Sequence, residues 1–425
     1  MNFSSMKKAI CEKTLDENFS VVYTPAQYEE QYERYLKVLN DFEELFGNER
    51  DVELFSAPGR SEVGGNHTDH NHGKVLAAGI SLDAIAVASK NSENIIRVKS
   101  AGYPMDTIDC SDLCVKENEM GKSSSLIRGI ADRFVQLGYK IGGFDATTAS
   151  KVLSGSGLSS SAAFEVLVCT MLNFLYNDGK ISPVEIAKIS QYAENVHFGK
   201  PCGLLDQMAC SVGGFVTIDF NDPEKPVIEK VDFDFASCGH SLCIVDTKGS
   251  HSDLTDEYAA VRKEMESVAE YFGKKVLRET DKQSVIDNAA EISKNLGERA
   301  VLRALHFFGE NERVEKLVEA LNKKDFESFK ALIIESGFSS YMYNQNVYAC
   351  KAPLNQPLSL ALAVSEQILK GKGAWRVHGG GFAGTIQAFV PDELLSEYTT
   401  AMNALFGNDA CYVLSIRPYG GVKIA

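Results

Sequence analysis

Apolar residues recur at helical spacing over residues 27–46, with Tyr32, Tyr35, Leu36, Leu39 and Phe42 on one side, which predicts an exposed amphipathic helix. A strand-like run at 52–55 follows and is expected to end in the turn Ala57-Pro58-Gly59-Arg60. Alternation resumes at 75–88 and 95–98, consistent with strands of one sheet. Helical patterns occupy about 124–137, 160–176 and 183–197. After Gly213-Gly214 a strand at 215–220 leads into Asn221-Asp222-Pro223-Glu224-Lys225-Pro226, the clearest loop in the middle of the chain. Beyond it lie a strand at 242–245 and a helix at about 256–272 with Tyr258, Val261, Met265, Val268 and Phe272 on one face. Helices over roughly 298–336 and 357–370 and strands at 385–390 and 411–416 complete an α+β pattern. The change of pattern near 220–240 divides the chain into residues 1–235 and 236–425.

A length of 425 residues fits two domains, or three, with sizeable cores. The formal charge of −15 argues against nonspecific nucleic-acid binding and against docking on an anionic membrane. A polyphosphate ligand would therefore need local positive charge or Mg²⁺. No apolar run is long enough to span a bilayer, and no secretory h-region follows Met1. The ten cysteines are scattered without paired CxxC sites, so reduced, mostly buried thiols in a cytoplasmic protein are expected.

Four segments are dense in chemistry. In the first, Gly155, Ser156, Gly157, Leu158, Ser159, Ser160, Ser161 and Ala162 lead into apolar residues at helical spacing. A Cβ-poor loop at a helix N-terminus favours an anion, usually phosphate. The loop lacks the Gly-Lys-Ser/Thr ending of a Walker A sequence, and a plain Gly/Ser-rich linker is the competing explanation. The second segment, residues 59–73, sets Arg60 beside short polar side chains suited to a polyol. His67, His70 and His72 would alternatively suggest a metal, but their spacing matches no standard zinc pattern. The third contains Glu194 and Asp206, two separated carboxylates that suit an oxygen ligand for Mg²⁺ and a base or orienter of a hydroxyl. Exposed acids at a capped helix end are the bland alternative. The fourth, residues 377–384, is a glycine-rich turn that by itself fits a tight strand-to-helix connection.

The order of these segments resembles the GHMP small-molecule kinases, most closely the galactokinase family. That family has a loop commonly written GRxNxIGEHTDYN, similar to residues 59–73, together with a GLSSSAA phosphate loop and a turn similar to residues 201–207. His251 with Leu254, Glu257-Tyr258 followed by Arg262 and Glu266, and residues 379–384 also match, so the likeness runs from about residue 52 to 390. It implies an N-terminal domain like domain 2 of ribosomal protein S5, a ferredoxin-like C-terminal domain, and an active site between them. It further implies ATP- and Mg²⁺-dependent phosphorylation of the C1 hydroxyl of D-galactose, by a chain most simply expected to be a monomer. Carried over, Asp206 is the catalytic aspartate facing the anomeric hydroxyl. Arg60 holds it ionised and offsets charge on the transferred group. Ser159 and Glu194 are the Mg²⁺ ligands, the backbone of residues 155–161 cradles phosphates, and Gly379 to Gly381 support the site. His67, Asp69, Gly203 and Tyr258 match sugar-contacting positions.

Asn66 stands where the family has a glutamate that contacts the 6-hydroxyl end of the sugar. Asparagine keeps an acceptor, gains a donor and loses the charge, so it suits that hydroxyl or a different substituent at C6. The alternative is therefore a kinase for another sugar, such as N-acetylgalactosamine. His70, His378, Val261 and Lys263 also depart from the family pattern. A catalytically silent sugar and ATP sensor is disfavoured because Ser161-Ala162 is intact alongside Glu194 and Asp206.

Overall fold

A computed structural model describes residues 1–152, 157–249 and 254–425. The first sheet is built from β1 (Glu53–Gly64), β2 (Lys74–Lys90), β3 (Ile95–Ser100), β4 (Met105–Asp109), β5 (Phe144–Ser150), β6 (Phe215–Asp219) and β7 (Val227–Val231). The second holds β8 (His240–Asp246), β9 (Ala374–His378), β10 (Thr385–Pro391) and β11 (Cys411–Leu414), and β12 (Val422–Lys423) returns to the first. Their orders are β12-β1-β2-β5-β3-β4, with β6 and then β7 beside β2, and β11-β8-β10-β9. Only the β3–β5 pair is parallel among the described strands. The long β2 organises the first sheet: Lys74 to Ala78 pair with β6, and Ala84 to Lys90 pair with β5.

Both faces of β2 are covered, which explains its nearly unbroken run of small and apolar residues. Ala84, Ala86 and Ala88 face a core with Ile127, Phe134, Val166 and Leu172. The alternate residues Ile85 and Val87 face Tyr35, Leu39 and Phe42 from the helix Tyr28–Phe46, together with Phe3 and Met6. That helix is therefore docked through its aromatic stripe, where an exposed helix was expected.

The structure revises several boundaries. Residues 57–60 do not turn; β1 runs through them with a register shift between Pro58 and Arg60. Helix Pro183–Tyr192 passes into a π-helical turn, Ala193–Phe198, which carries Glu194. The 298–336 region is two helices, Glu298–Asn322 and Phe326–Ser339, broken where Lys324 adopts φ 57° and Asp325 caps the second through Ser328 N at 3.0 Å. Residues 379–384 join strand to strand, β9 to β10, instead of strand to helix. Three of the ten cysteines are buried and three exposed, so the thiols are less enclosed than expected.

Two connections position the site. At the chain's end, Ile424 N donates to Leu54 O at 2.7 Å, and the buried Arg417 joins Arg34 around Asp83. Burial alone would raise the Asp83 carboxyl, but the two guanidinium groups outweigh it and hold it below the ordinary range. Helix Glu298–Asn322 grips the loop after β1: Gly65 N donates to Glu310 Oε2 at 3.1 Å, and His306 Nε2 donates to Asn66 O at 2.9 Å. A shared core joins Val63, Leu76 and Leu158 to Leu242, Ile244, Leu317 and Phe389, so elements of both sheets enclose one interior.

Candidate active site

The bulge in β1 has a specific cause. A Cβ on Gly59 would lie 2.8 Å from Leu158 O and 2.9 Å from Val152 Cγ1, so only glycine lets the loop before helix Ser160–Asn177 approach this closely. Arg60 N then donates to Leu158 O at 3.1 Å. The Arg60 side chain, 9% exposed, sends Nε and Nη2 to Asp206 Oδ1, each at 2.7 Å, and Nη1 to Gly157 O. Burial depresses the Arg60 guanidinium, yet Asp206 more than compensates and raises it. Asp206 lies in the first turn of helix Leu205–Val212, and its second oxygen accepts the Ser159 hydroxyl. Ser159, at φ 58°, directs its side chain to Asp206 instead of capping its own helix. Its oxygen keeps lone pairs free to ligate a cation. Arg60, Asp206, Gly157 and Ser159 thus meet at the N-terminus of an 18-residue helix.

Next to Asp206, Gln207 Nε2 bridges two buried carboxylates, at 2.7 Å from Glu194 Oε2 and 3.2 Å from Glu165 Oε2. Lys200 Nζ reaches Glu194 Oε1 at 3.1 Å. Burial and the neighbouring Glu194 push the Glu165 carboxyl well above its usual range. Glu165 Oε1 and Gln207 Oε1 are buried without a partner among the described residues. Such partnerless hard oxygens beside carboxylates are the donor chemistry that Mg²⁺ prefers.

The opposite wall is the loop after β1. Asp69 faces Gly203 so closely that a Cβ there would sit 3.0 Å from Asp69 Oδ2, and burial raises the Asp69 carboxyl. His67 Nε2 donates to Gly380 O at 2.9 Å, and the Tyr258 hydroxyl to Gly381 O at 2.8 Å. Burial pushes the Tyr258 phenol up to about 12, which keeps it a donor. Asn66 is fully buried and donates to Gly379 O at 2.7 Å. Three side chains of the expected sugar wall therefore each hold one carbonyl of the β9–β10 turn. His378, before that turn, bonds Ser61 Oγ at 3.1 Å and Thr385 Oγ1 at 2.9 Å, and burial lowers its imidazole well below its usual range.

Among the expected phosphate-loop residues, Gly157, Leu158 and Ser159 precede the helix and Ser160, Ser161 and Ala162 form its first turn. Gly155, Ser156 and His251 lie outside the described residues. Arg262 is exposed and pairs with Glu266 at 2.7 Å. Sequence pattern alone assigns no role to Glu165, Gln207 or Glu62. Glu165 sits among apolar helix residues, and a buried acid at such a position is the one signal that marks it.

The architecture defines the class. The chain has the GHMP kinase fold: the mevalonate kinase of Methanococcus jannaschii superposes with a TM-score of 0.60 at 16% identity, covering 86% of this chain and 98% of that one. The galactokinase of Lactococcus lactis, crystallised with galactose, gives a TM-score of 0.74 at 24% identity over 90% of this chain and 98% of its own. In sequence, a GHMP kinases N terminal domain matches residues 125–214 and a galactokinase galactose-binding signature matches residues 40–90. A galactokinase of Streptomyces coelicolor is 31% identical over 390 residues, 90% of this chain and 96% of the relative. One of Glaesserella parasuis serovar 5 is 32% identical over 366 residues, 83% and 88% of the two chains. The chain belongs to the galactokinase family.

Proposed function

We propose that this enzyme transfers the γ-phosphoryl group of ATP to the C1 hydroxyl of D-galactose, giving α-D-galactose 1-phosphate and ADP. The observation that carries this reading is the Arg60 fork, which ties Asp206 to the Gly157 carbonyl of the loop before helix Ser160–Asn177. An aspartate fixed beside a helix N-terminus can meet a sugar hydroxyl and a phosphoryl group together. In this role Asp206 accepts the hydrogen bond of the anomeric hydroxyl and takes its proton late, as the new P–O bond forms and the bond to ADP breaks. Arg60 offsets the charge spread over the transferred phosphoryl oxygens. The loop of residues 155–162 holds the phosphates, with the dipole of the following helix favouring their charge. Glu194 and Ser159 would hold Mg²⁺, which when bound neutralises phosphate charge.

The sugar lies against His67 and Asp69 of the loop after β1, Gly203 and Tyr258, whereas the expected contact Asn66 is fully buried. The catalytic cleft separates domains 1–235 and 236–425, with residues 422–425 returning to the first. The ten free thiols support action in the reducing cytoplasm, and no helix among the described residues is long and apolar enough to cross a membrane.

Asp206→Asn tests the assignment. Turnover falls by roughly 10²- to 10⁴-fold while galactose binding, followed by calorimetry, persists. Unchanged turnover would remove Asp206 from the reaction, and turnover of another hexose in place of galactose would overturn the substrate.

A further inference from the structure

The side-chain amide of Asn66 has no hydrogen-bonding capacity left. Its Nδ2 donates to Glu62 Oε1 at 3.0 Å and to Gly379 O at 2.7 Å. Its Oδ1 accepts from Asn346 Nδ2 at 2.9 Å and from Ser340 Oγ at 3.3 Å. An amide has two donors and two lone pairs, so all four are spent. The orientation is fixed by chemistry, because a carboxylate and a carbonyl on one side can only accept. Asn66 is also fully buried.

Glu62 is different. Its Oε1 takes both the Asn66 amide and the buried Arg376 guanidinium, the latter at 2.8 Å. Its Oε2 bonds nothing among the described residues, and the side chain, 13% exposed, is not sealed off as Glu165 is. Between Arg60 and Glu62 the β1 register is regular, so the two side chains leave the same face of the strand. Two residues of strand advance Glu62 by roughly 7 Å from Arg60, so the two side chains sit at separate points along one wall.

We infer that Glu62, not Asn66, binds the hydroxyl of the sugar farthest from the phosphorylated one, and that Asn66 is a positioning residue that orients Glu62 and pins the β9–β10 turn. This rests on the sugar-kinase reading above. It also accounts for the sequence departure: in the motif GRxNxIGEHTDYN these positions carry Asn and Glu, and here Glu62 and Asn66 present the same pair reversed. A glutamate at 66 alone would set a second carboxylate against Glu62 and the Gly379 carbonyl.

The test is a cycle between side chain and substrate. Dissociation constants for D-galactose and 6-deoxy-D-galactose are measured by calorimetry, with turnover in parallel, for the wild type, Glu62→Gln, Asn66→Glu and the exchange Glu62→Asn/Asn66→Glu. A charged hydrogen bond predicts that the wild type prefers galactose by roughly 10- to 100-fold. Glu62→Gln shrinks that preference by about the same factor. Asn66→Glu weakens both sugars, and the exchange, which leaves no carboxylate at position 62, loses the preference as Glu62→Gln does. An undiminished preference in Glu62→Gln, or none in the wild type, overturns the proposal. Tight, selective galactose binding without phosphoryl transfer would instead overturn the kinase reading and leave Glu62 in place.

Discussion

Lowering the pH tests the grip of helix Glu298–Asn322 on the sugar loop. His306 is buried as the neutral ring: Nε2 donates to Asn66 O, and Nδ1 lies 2.8 Å from Ser339 Oγ. Burial, only partly opposed by Glu310, lowers its pKa to about 4. An ordinary histidine titrates near 6.5, so the unfolded chain binds a proton between about pH 6.5 and 4 that the folded chain refuses. Stability therefore falls with pH across that window, by about 3 kcal/mol in all, most of it lost between pH 7.5 and 5. Glu310 does not interfere. The guanidinium groups of Arg313 and Arg376 overcome its burial and bring it down to about 2, so its contribution is lost only below the ordinary glutamate range. Urea unfolding of the wild type and of His306→Gln at pH 7.5 and 5.0 reads the difference. The wild type should lose about 2 kcal/mol more than the variant. Parallel losses would refute the argument that burial holds His306 neutral.

Three further outcomes follow from the contacts. Gly59→Ala forces Cβ onto Leu158 O and Val152, shifting the phosphate loop and lowering kcat/KM for ATP by roughly 10- to 100-fold, with galactose binding retained in calorimetry. Arg60→Lys cannot span Asp206 and Gly157 with a planar fork, and steady-state kinetics should show kcat reduced by roughly 10²-fold. Asp83→Ala leaves Arg417 and Arg34 facing each other without their shared carboxylate, and chemical denaturation should register a loss of about 3–5 kcal/mol.

The long periodic helices and the apolar strands were readable because burial on one side writes a period into the sequence. The elements that escaped notice carry polar residues for tertiary reasons. β5 contains Asp145 and Thr147, buried because Arg50 and Arg97 pair with the first and Val38 O accepts from the second. β9 centres on Arg376, which is buried because it bonds Glu62 and Val63 O. Pro58-Gly59 has the composition of a turn, and only the approach of Leu158 makes it a bulge. At the site, motif order supplied Arg60, Ser159, Glu194 and Asp206. Spacing does not convey that Arg60 and Asp206 meet across 146 residues. Nor does it reveal that Asn66, the conspicuous substitution, spends its amide on the protein's own groups.

Phosphoryl transfer from ATP to D-galactose is the reaction on which every assigned role depends. Purified protein incubated with ATP, Mg²⁺ and D-galactose, followed by ³¹P nuclear magnetic resonance, should show equal amounts of ADP and an anomeric phosphate with α configuration. Absence of that phosphate while another hexose is phosphorylated, or release of inorganic phosphate alone, would contradict it.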